Sequence, residues 1–337
     1  MKKFLVKYRF FLIMFSFVYV YLLFILICPT QFGGITPYGL NNVSNNIQIS
    51  TDYTKNDDSF YTISVLSFNT VTAFQKLVLD SLEFGETYPN TAYSHISGFD
   101  REKMGQIEKE SSYYTSIIIA FLKAQENDPS INIGFEFRGV KVHYIPKKLY
   151  KSQVIKVGDI ITSITSNTIT YDAASCNTLF DIYNFMNALK NSKYSIKVGN
   201  KDINLDLSSE SYYLDAYPIF NLSPSIDINL PGLNSLTGGP SGGLMQSLYI
   251  YSTLMKLDFS KYKICGTGTI EITNEVGKIG GAKEKFKSAL DAHADFFFVP
   301  AANFPSIENI MNKYQGQITI FVVNNFSDAV NKLLTLL

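Results

Sequence analysis

The stretch Thr237–Met245, TGGPSGGLM, sets a single serine between two glycine pairs, and the apolar segment continues as QSLYIYSTLMKL. Proline fixes its own φ and suits the first helical position, so a helix is predicted to begin at Pro240 with Ser241 in its first turn. A hydroxyl there sits at the positive end of a helix. Unpaired backbone N–H groups at such an end can take up a developing negative oxygen, and Gly238, Gly239, Gly242 and Gly243 leave a peptide backbone room to approach. The plainer alternative is a glycine-rich turn with an N-capping serine. The two differ in whether the chain also supplies a base.

Gly239–Gly243 satisfies the pattern G-x-S-x-G, which invites a Ser-His-Asp esterase. That elbow follows directly on a strand, whereas GLNSLTGG reads as a loop. The only downstream histidine is His293, with Asp291 two residues before it. Residues i and i+2 of a helix do not share a face, so this pair could not line up behind Ser241. Lysine is the other base that serves serine nucleophiles. In GAKEKFKSALDAHA, read as a helix at ~100° per residue with Lys285 at zero, the residues Ala282, Phe286, Ala289, Leu290, Ala292 and His293 fall between about −20° and 140°. Lys283 and Lys287 fall at about 160° and about 200° on the same wheel. Lys285 alone points into the small, apolar side, where burial disfavours the ammonium and leaves an amine able to accept the serine proton. A lysine snorkelling from the edge of a core face is the bland alternative.

Outward from these two residues, Ser208–Leu337 alternates strands and helices, which predicts an α/β unit. GGPSGGLM, GTGTIEI, VGKIGGAKEK and ADFFFVPAANF occur in that order. Over 226–304 they resemble the proteolytic domain of Lon proteases, most closely the membrane-anchored PDZ-Lon proteins of bacteria. The resemblance implies that Ser241 and Lys285 form a Ser-Lys dyad and that Thr267 hydrogen-bonds and orients the lysine. It also implies homo-oligomeric rings. Gly242 stands where alanine is usual, and Thr237-Gly238 where Lon has a charged pair. MGQIEKESSYYTSIIIAFLKA, helical by its spacing, is similar to the helix that opens the Lon proteolytic domain, so the protease domain is expected to be split by an insertion.

That insertion, Ile131–Leu207, reads as a β-rich module with one amphipathic helix, TLFDIYNFMNALKNS. Its Gly158-Asp159 turn and following strand resemble a PDZ domain of bacterial envelope proteases. The nearest counterpart of the PDZ carboxylate loop is NIGFEF, 132–137, which departs from the usual Gly-Leu-Gly-Phe.

Phe10–Cys28 carries no charge and has about the 20 residues that a helix needs to cross a bilayer. Lys2, Lys3, Lys7 and Arg9 precede it and the next charge is Asp52, so the positive-inside rule keeps the N-terminus cytoplasmic and exports the rest. A cleaved signal peptide is the rival reading, but no small-x-small site follows. The expected organisation is a cytoplasmic tail (1–9), a transmembrane helix (10–28), an extracytoplasmic linker (29–58), the first part of the protease domain (59–128), a PDZ-like domain (129–207) and the proteolytic domain (208–337).

Basic and acidic residues number 29 each, which removes the electrostatic case for a nucleic-acid partner. Cys28, Cys176 and Cys265 are too scattered for a disulfide framework or a zinc site. No cofactor or metal is called for, and the absence of a GxxxxGK[ST] loop speaks for an ATP-independent enzyme. The expected partners are peptide or protein substrates, the membrane and further copies of the chain. A non-catalytic peptide-binding protein on the same scaffold is the alternative function.

Overall fold

The computed structural model describes residues 2–90, 93–210, 212–235 and 239–337. The chain opens with helix α1 (Lys2–Ile27), whose apolar side chains from Tyr8 onward are largely exposed. It continues through β1 (Phe32–Asn42), β2 (Gln48–Ile49), β3 (Phe60–Phe68), α2 (Ala73–Ser81) and β4 (Glu86–Pro89). Residues 29–58 are therefore not the tether that their composition suggested. Strand β1 pairs antiparallel with β3 from Gly34 to Asn42, and Val43 and Ile47 are sunk in the core. The glycines and proline that read as linker sit where a strand tolerates them. Pro37 borders a register shift and lies beyond the four residues, Phe32 to Ile35, that pair with β4.

A 28-residue helix, α3 (Gly98–Gln125), leads into a second unit. This unit comprises β5 (Ile133–Tyr144), α4 (Lys147–Ser152), β6 (Ile160–Ser166), β7 (Ile169–Asp172), α5 (Leu179–Ala188), β8 (Lys193–Val198), β9 (Lys201–Asp206) and β10 (Asp215–Pro224). Its antiparallel sheet has the order β10-β5-β6-β8-β9, with β7 on β6, and closes over Val140, Val142, Ile161, Ile164, Ile182 and Phe185. Two expectations change here. The unit runs to Pro224 rather than ending at 207, because β10 pairs with β5 along its whole length; Pro218 is accommodated because β10 is an edge strand. NIGFEF is not a loop, since Ile133 to Phe137 already lie in β5.

The chain then returns through β11 (Ile228–Asn229), which pairs with β2. Of IDINLPG only those two residues are strand, and a 3-10 turn takes over at Pro231. There follow α6 (Gly243–Leu254), β12 (Ile264–Gly266), β13 (Thr269–Ile270), β14 (Val276–Gly277), α7 (Ala282–Asp291), β15 (Phe296–Pro300), α8 (Phe304–Met311), β16 (Thr319–Val323) and α9 (Phe326–Leu334). The first sheet has the order β16-β15-β12-β3-β1-β4, parallel from β16 to β3 and antiparallel beyond. It is buried on both faces: Ile264 and Phe298 join the core under α3, α6 and α9, while Cys265, Phe297 and Val299 face Phe286 and Ala289 of α7. This mixed α/β layering sandwiches the sheet between α6 and α7. Strand β1 runs through it from Phe32, near the end of α1, to Asn41, which lines the cleft described next.

Candidate active site

Ser241 stands in a turn ahead of α6, not inside its first turn as the proline suggested. The Gly243 N–H closes that turn on the Pro240 carbonyl at 3.1 Å. The reason is a long-range claim on the serine backbone. Its carbonyl accepts the Gly268 N–H at 2.9 Å and the Thr267 hydroxyl at 3.1 Å, which ties residue 241 to the end of β12.

Lys285 reaches the same point from the opposite face of the sheet. Helix α7 starts after Gly281, whose φ of 67° is a left-handed conformation that favours glycine. A Cβ there would also press on Ile35 and Val65 at 3.2 and 3.3 Å, so glycine lets α7 lie down on β1 and β3. From the second turn of the helix the Lys285 Nζ donates to Ser241 Oγ at 2.6 Å and to Thr267 Oγ1 at 3.1 Å. The lysine is 3% exposed and Thr267 is fully buried. Burial draws the lysine pKa down to about 8, with no carboxylate near enough to oppose it. A buried amine in contact with a hydroxyl can exchange a proton with it near neutral pH. The structure thus brings Ser241, Thr267 and Lys285 together. His293 is exposed beyond the end of α7, two turns further along the chain.

The glycines divide by role. Gly239 has a φ of 93° and donates its N–H to the Gly105 carbonyl of α3, with no atom closer than 4.0 Å to the place of a Cβ. Gly243 is buried, and a Cβ there would come within 3.0 Å of Ile270 N and Ser112 Oγ, so it serves the close packing of α6. The Gly239 and Gly243 N–H groups are committed elsewhere, whereas those of Ser241 and Gly242 have no hydrogen-bond partner among the described residues. Thr237 and Gly238 lie outside the described residues.

Sequence reasoning missed how helix α3 holds this loop. Gly105, Lys109, Ser112 and Ser116 recur along one face of the helix. Lys109 Nζ donates to the Ser235 carbonyl at 2.5 Å, Ser112 Oγ to the Pro240 carbonyl at 3.1 Å and Ser116 Oγ to the Gly243 carbonyl at 3.0 Å. Both serines also reach Gln246 Oε1, at 3.3 and 3.2 Å. The signal was present as Ser112 and Ser116, small polar residues one turn apart beside the apolar run Ile117–Phe121. A second omission carries no signal at all. Glu284 reads as part of a charged surface yet is fully buried, with neither carboxylate oxygen hydrogen-bonded among the described residues and its pKa pushed up by desolvation. A narrow cleft of about 50 Å³ opens on Ser241 between Asn41, Thr62 and Ser64 of the sheet and Lys109 and Tyr113 of α3.

Residues 205–336 match the family described as the Lon protease (S16) C-terminal proteolytic domain. The relatives include a peroxisomal Lon protease homolog 2 of Kluyveromyces lactis, 32% identical over 137 residues (40% of this chain, 12% of the relative). A Lon protease of Roseiflexus castenholzii is 30% identical over 110 residues (32% and 14%). A Lon protease of Aster yellows witches'-broom phytoplasma is 29% identical over 106 residues (32% and 13%). The chain thus spans about an eighth of the length of the curated relatives it matches, and the matched region holds both Ser241 and Lys285.

Proposed function

We propose that this protein is a membrane-anchored, ATP-independent serine endopeptidase that uses Ser241 as nucleophile and Lys285 as general base. The observation that carries the reading is the 2.6 Å contact between a buried amine of lowered pKa and the serine hydroxyl. In the proposed reaction Ser241 Oγ attacks the scissile carbonyl carbon while its proton passes to Lys285 Nζ. The carbonyl oxygen becomes an oxyanion received by the Ser241 and Gly242 N–H groups. Collapse of the adduct breaks the C–N bond, and Lys285 returns the proton to the departing amine. Water, deprotonated by the same lysine, then hydrolyses the ester. Thr267 accepts one hydrogen of the lysine and donates its own to the Ser241 carbonyl. It therefore holds base and nucleophile in register.

Anchoring is supported by the 21-residue apolar segment Lys7–Ile27, long enough to span a bilayer and not buried against the rest of the protein. The basic residues before it favour a cytoplasmic N-terminus and a catalytic part outside. The substrates would then be extended protein segments on the far side of the membrane. Peptide docking by the β-rich unit, the PDZ-like reading, is supported by a groove of about 340 Å³ between α5 and the edge strand β10, with Met186 and Leu189 on one side, Leu214 and Ala216 on the other, and the Glu271–Glu275 turn of the proteolytic unit as its third wall. Ring assembly follows only from the family resemblance.

An active-site-directed serine label tests the chemistry. Modification at Ser241 that disappears in Lys285→Ala is the expected result. A folded protein that stays unlabelled would favour the non-catalytic peptide-binding scaffold, and dependence on His293 would favour an esterase.

A further inference from the structure

Helix α2 carries its apolar residues on the wrong side for a soluble domain. Phe74, Leu77 and Val78 are 46%, 67% and 36% exposed, and Leu82, just past the helix, is 50% exposed. At ~100° per residue the three helical positions share an arc of about 100°, while Leu79, the one buried residue of the helix, lies well outside it. Leu79 suffices to fix α2 on β1, where it lies against Gly34.

The place of this stripe in the chain indicates what covers it. The Ala73 N–H donates to the carbonyl of Cys28, the residue after α1, at 3.3 Å. Thr30 donates its N–H and its hydroxyl to the Val71 carbonyl at 2.9 and 2.7 Å, and Pro29 bridges Thr72. The first turn of α2 is therefore bonded to the point where the apolar helix α1 ends. A nine-residue helix is about 13 Å long, so every residue of the stripe lies within roughly 15 Å of that exit. Four side chains fall far short of the roughly 20 to 30 residues a side, about 800 Å² per partner, that a stable protein interface uses.

We propose that the Phe74–Leu82 face of α2 inserts into the headgroup boundary of the bilayer leaflet from which α1 emerges. This inference rests on the anchored reading of α1 and adds a second contact to it. A lone span leaves the attached domain free to pivot. A span joined by backbone hydrogen bonds to a surface-seated helix holds the sheet, through β1, at one height and orientation.

The test uses the full chain with Cys28 and Cys176 replaced by serine, reconstituted in nanodiscs of phosphatidylcholine and phosphatidylglycerol. Cys265 is fully buried, so a cysteine introduced at position 77, or at the exposed control position Ile169, is the accessible one and carries an environment-sensitive fluorophore. Lipids bearing a nitroxide near the headgroup should quench the label at 77 at least threefold more than the label at 169, and its emission should shift to the blue. Equal quenching at the two positions overturns the inference. So does energy transfer between labels at 77 on two copies without lipid quenching, which would assign the face to a second chain. Labels at positions 74 and 82 should repeat the result at 77 if any one substitution perturbs the helix. Flotation of the same protein with liposomes separates the two readings: a chain that does not float denies the anchor itself, whereas a floating chain with an unquenched position 77 denies only this contact.

Discussion

At the scale of the residue, the proposed chemistry depends on a lysine that the protein keeps dry. With its pKa at about 8, Lys285 is mostly an ammonium at pH 7 and mostly a free amine at pH 9, and only the amine can take the serine proton. Peptidase kcat/KM should therefore climb about tenfold per pH unit below pH 8 and level off above it, and Lys285→Met should lose on the order of 10²–10⁴-fold in kcat. Initial-rate assays across pH 6–10 check both. A profile that levels off by pH 6 would mean another base. Ser241 and Lys285 were legible in the sequence because glycine bareness and an amphipathic lysine are local properties. The start of α6 was not, since the bond from Gly268 that pulls Ser241 out of the helix comes from the far end of β12, beyond the whole of α6. Glu284 was illegible for a like reason: its burial follows from the packing of α7 on β1 and β3, which its sequence neighbours do not announce.

At the scale of the element, α3 is a splint. Its Ser112 and Ser116 hold the Pro240 and Gly243 carbonyls and Gln246. Replacing both by alanine removes these side-chain donors at a cost of about 0.5–1.5 kcal/mol each, since the Pro240 carbonyl keeps the Gly243 N–H and the Gly243 carbonyl keeps the Ser247 hydroxyl. We expect a fall in kcat of about tenfold or more with KM little changed, because the loop that aims Ser241 loosens while the cleft walls remain; steady-state kinetics on the double variant checks this. An unchanged kcat would mean the turn holds itself. Helical spacing revealed α3, α5 and α7, the proline at 240 pointed to α6, and the Gly158-Asp159 turn revealed the alternating strand β6. Such signals failed for β1 and β10, whose sequences FGGITPYGLNN and DAYPIFNLSP carry the residues that punctuate loops. Their strand character comes from partners, β3 for one and β5 for the other.

At the scale of the whole molecule, the same helix joins the two units. His143 of β5 is 4% exposed, edge-on to Tyr217. It stands 2.9 Å from Glu108 of α3, off the line of a good hydrogen bond, and 3.3 Å from Asp215. Desolvation alone would lower its pKa, but the Asp215 and Glu108 carboxylates overcome it and raise the value to about 9. A histidine whose folded pKa is raised stabilises the fold fully below its ordinary value near 6.5, and that contribution is lost as pH rises through 9. Thermal melting should show the wild type losing on the order of 3 kcal/mol at most between pH 6.5 and 10, against a flatter curve for His143→Gln. Parallel curves would remove the histidine from the junction. Lys141 with Glu110 at 2.6 Å, and Lys103 with the Val157 carbonyl at 2.6 Å, complete the seam.

Strand β1 carries one more implication. It begins beside the foot of α1 and ends at the cleft, and the nine steps from Phe32 to Asn41 measure roughly 30 Å at about 3.4 Å each. In the enzyme anchored as proposed, that strand would act as a ruler. Standing along the bilayer normal, it would set a minimum stalk length: a polypeptide rooted in the same leaflet would have to extend about nine residues before its backbone met the cleft, and shorter stalks would pass beneath it uncut.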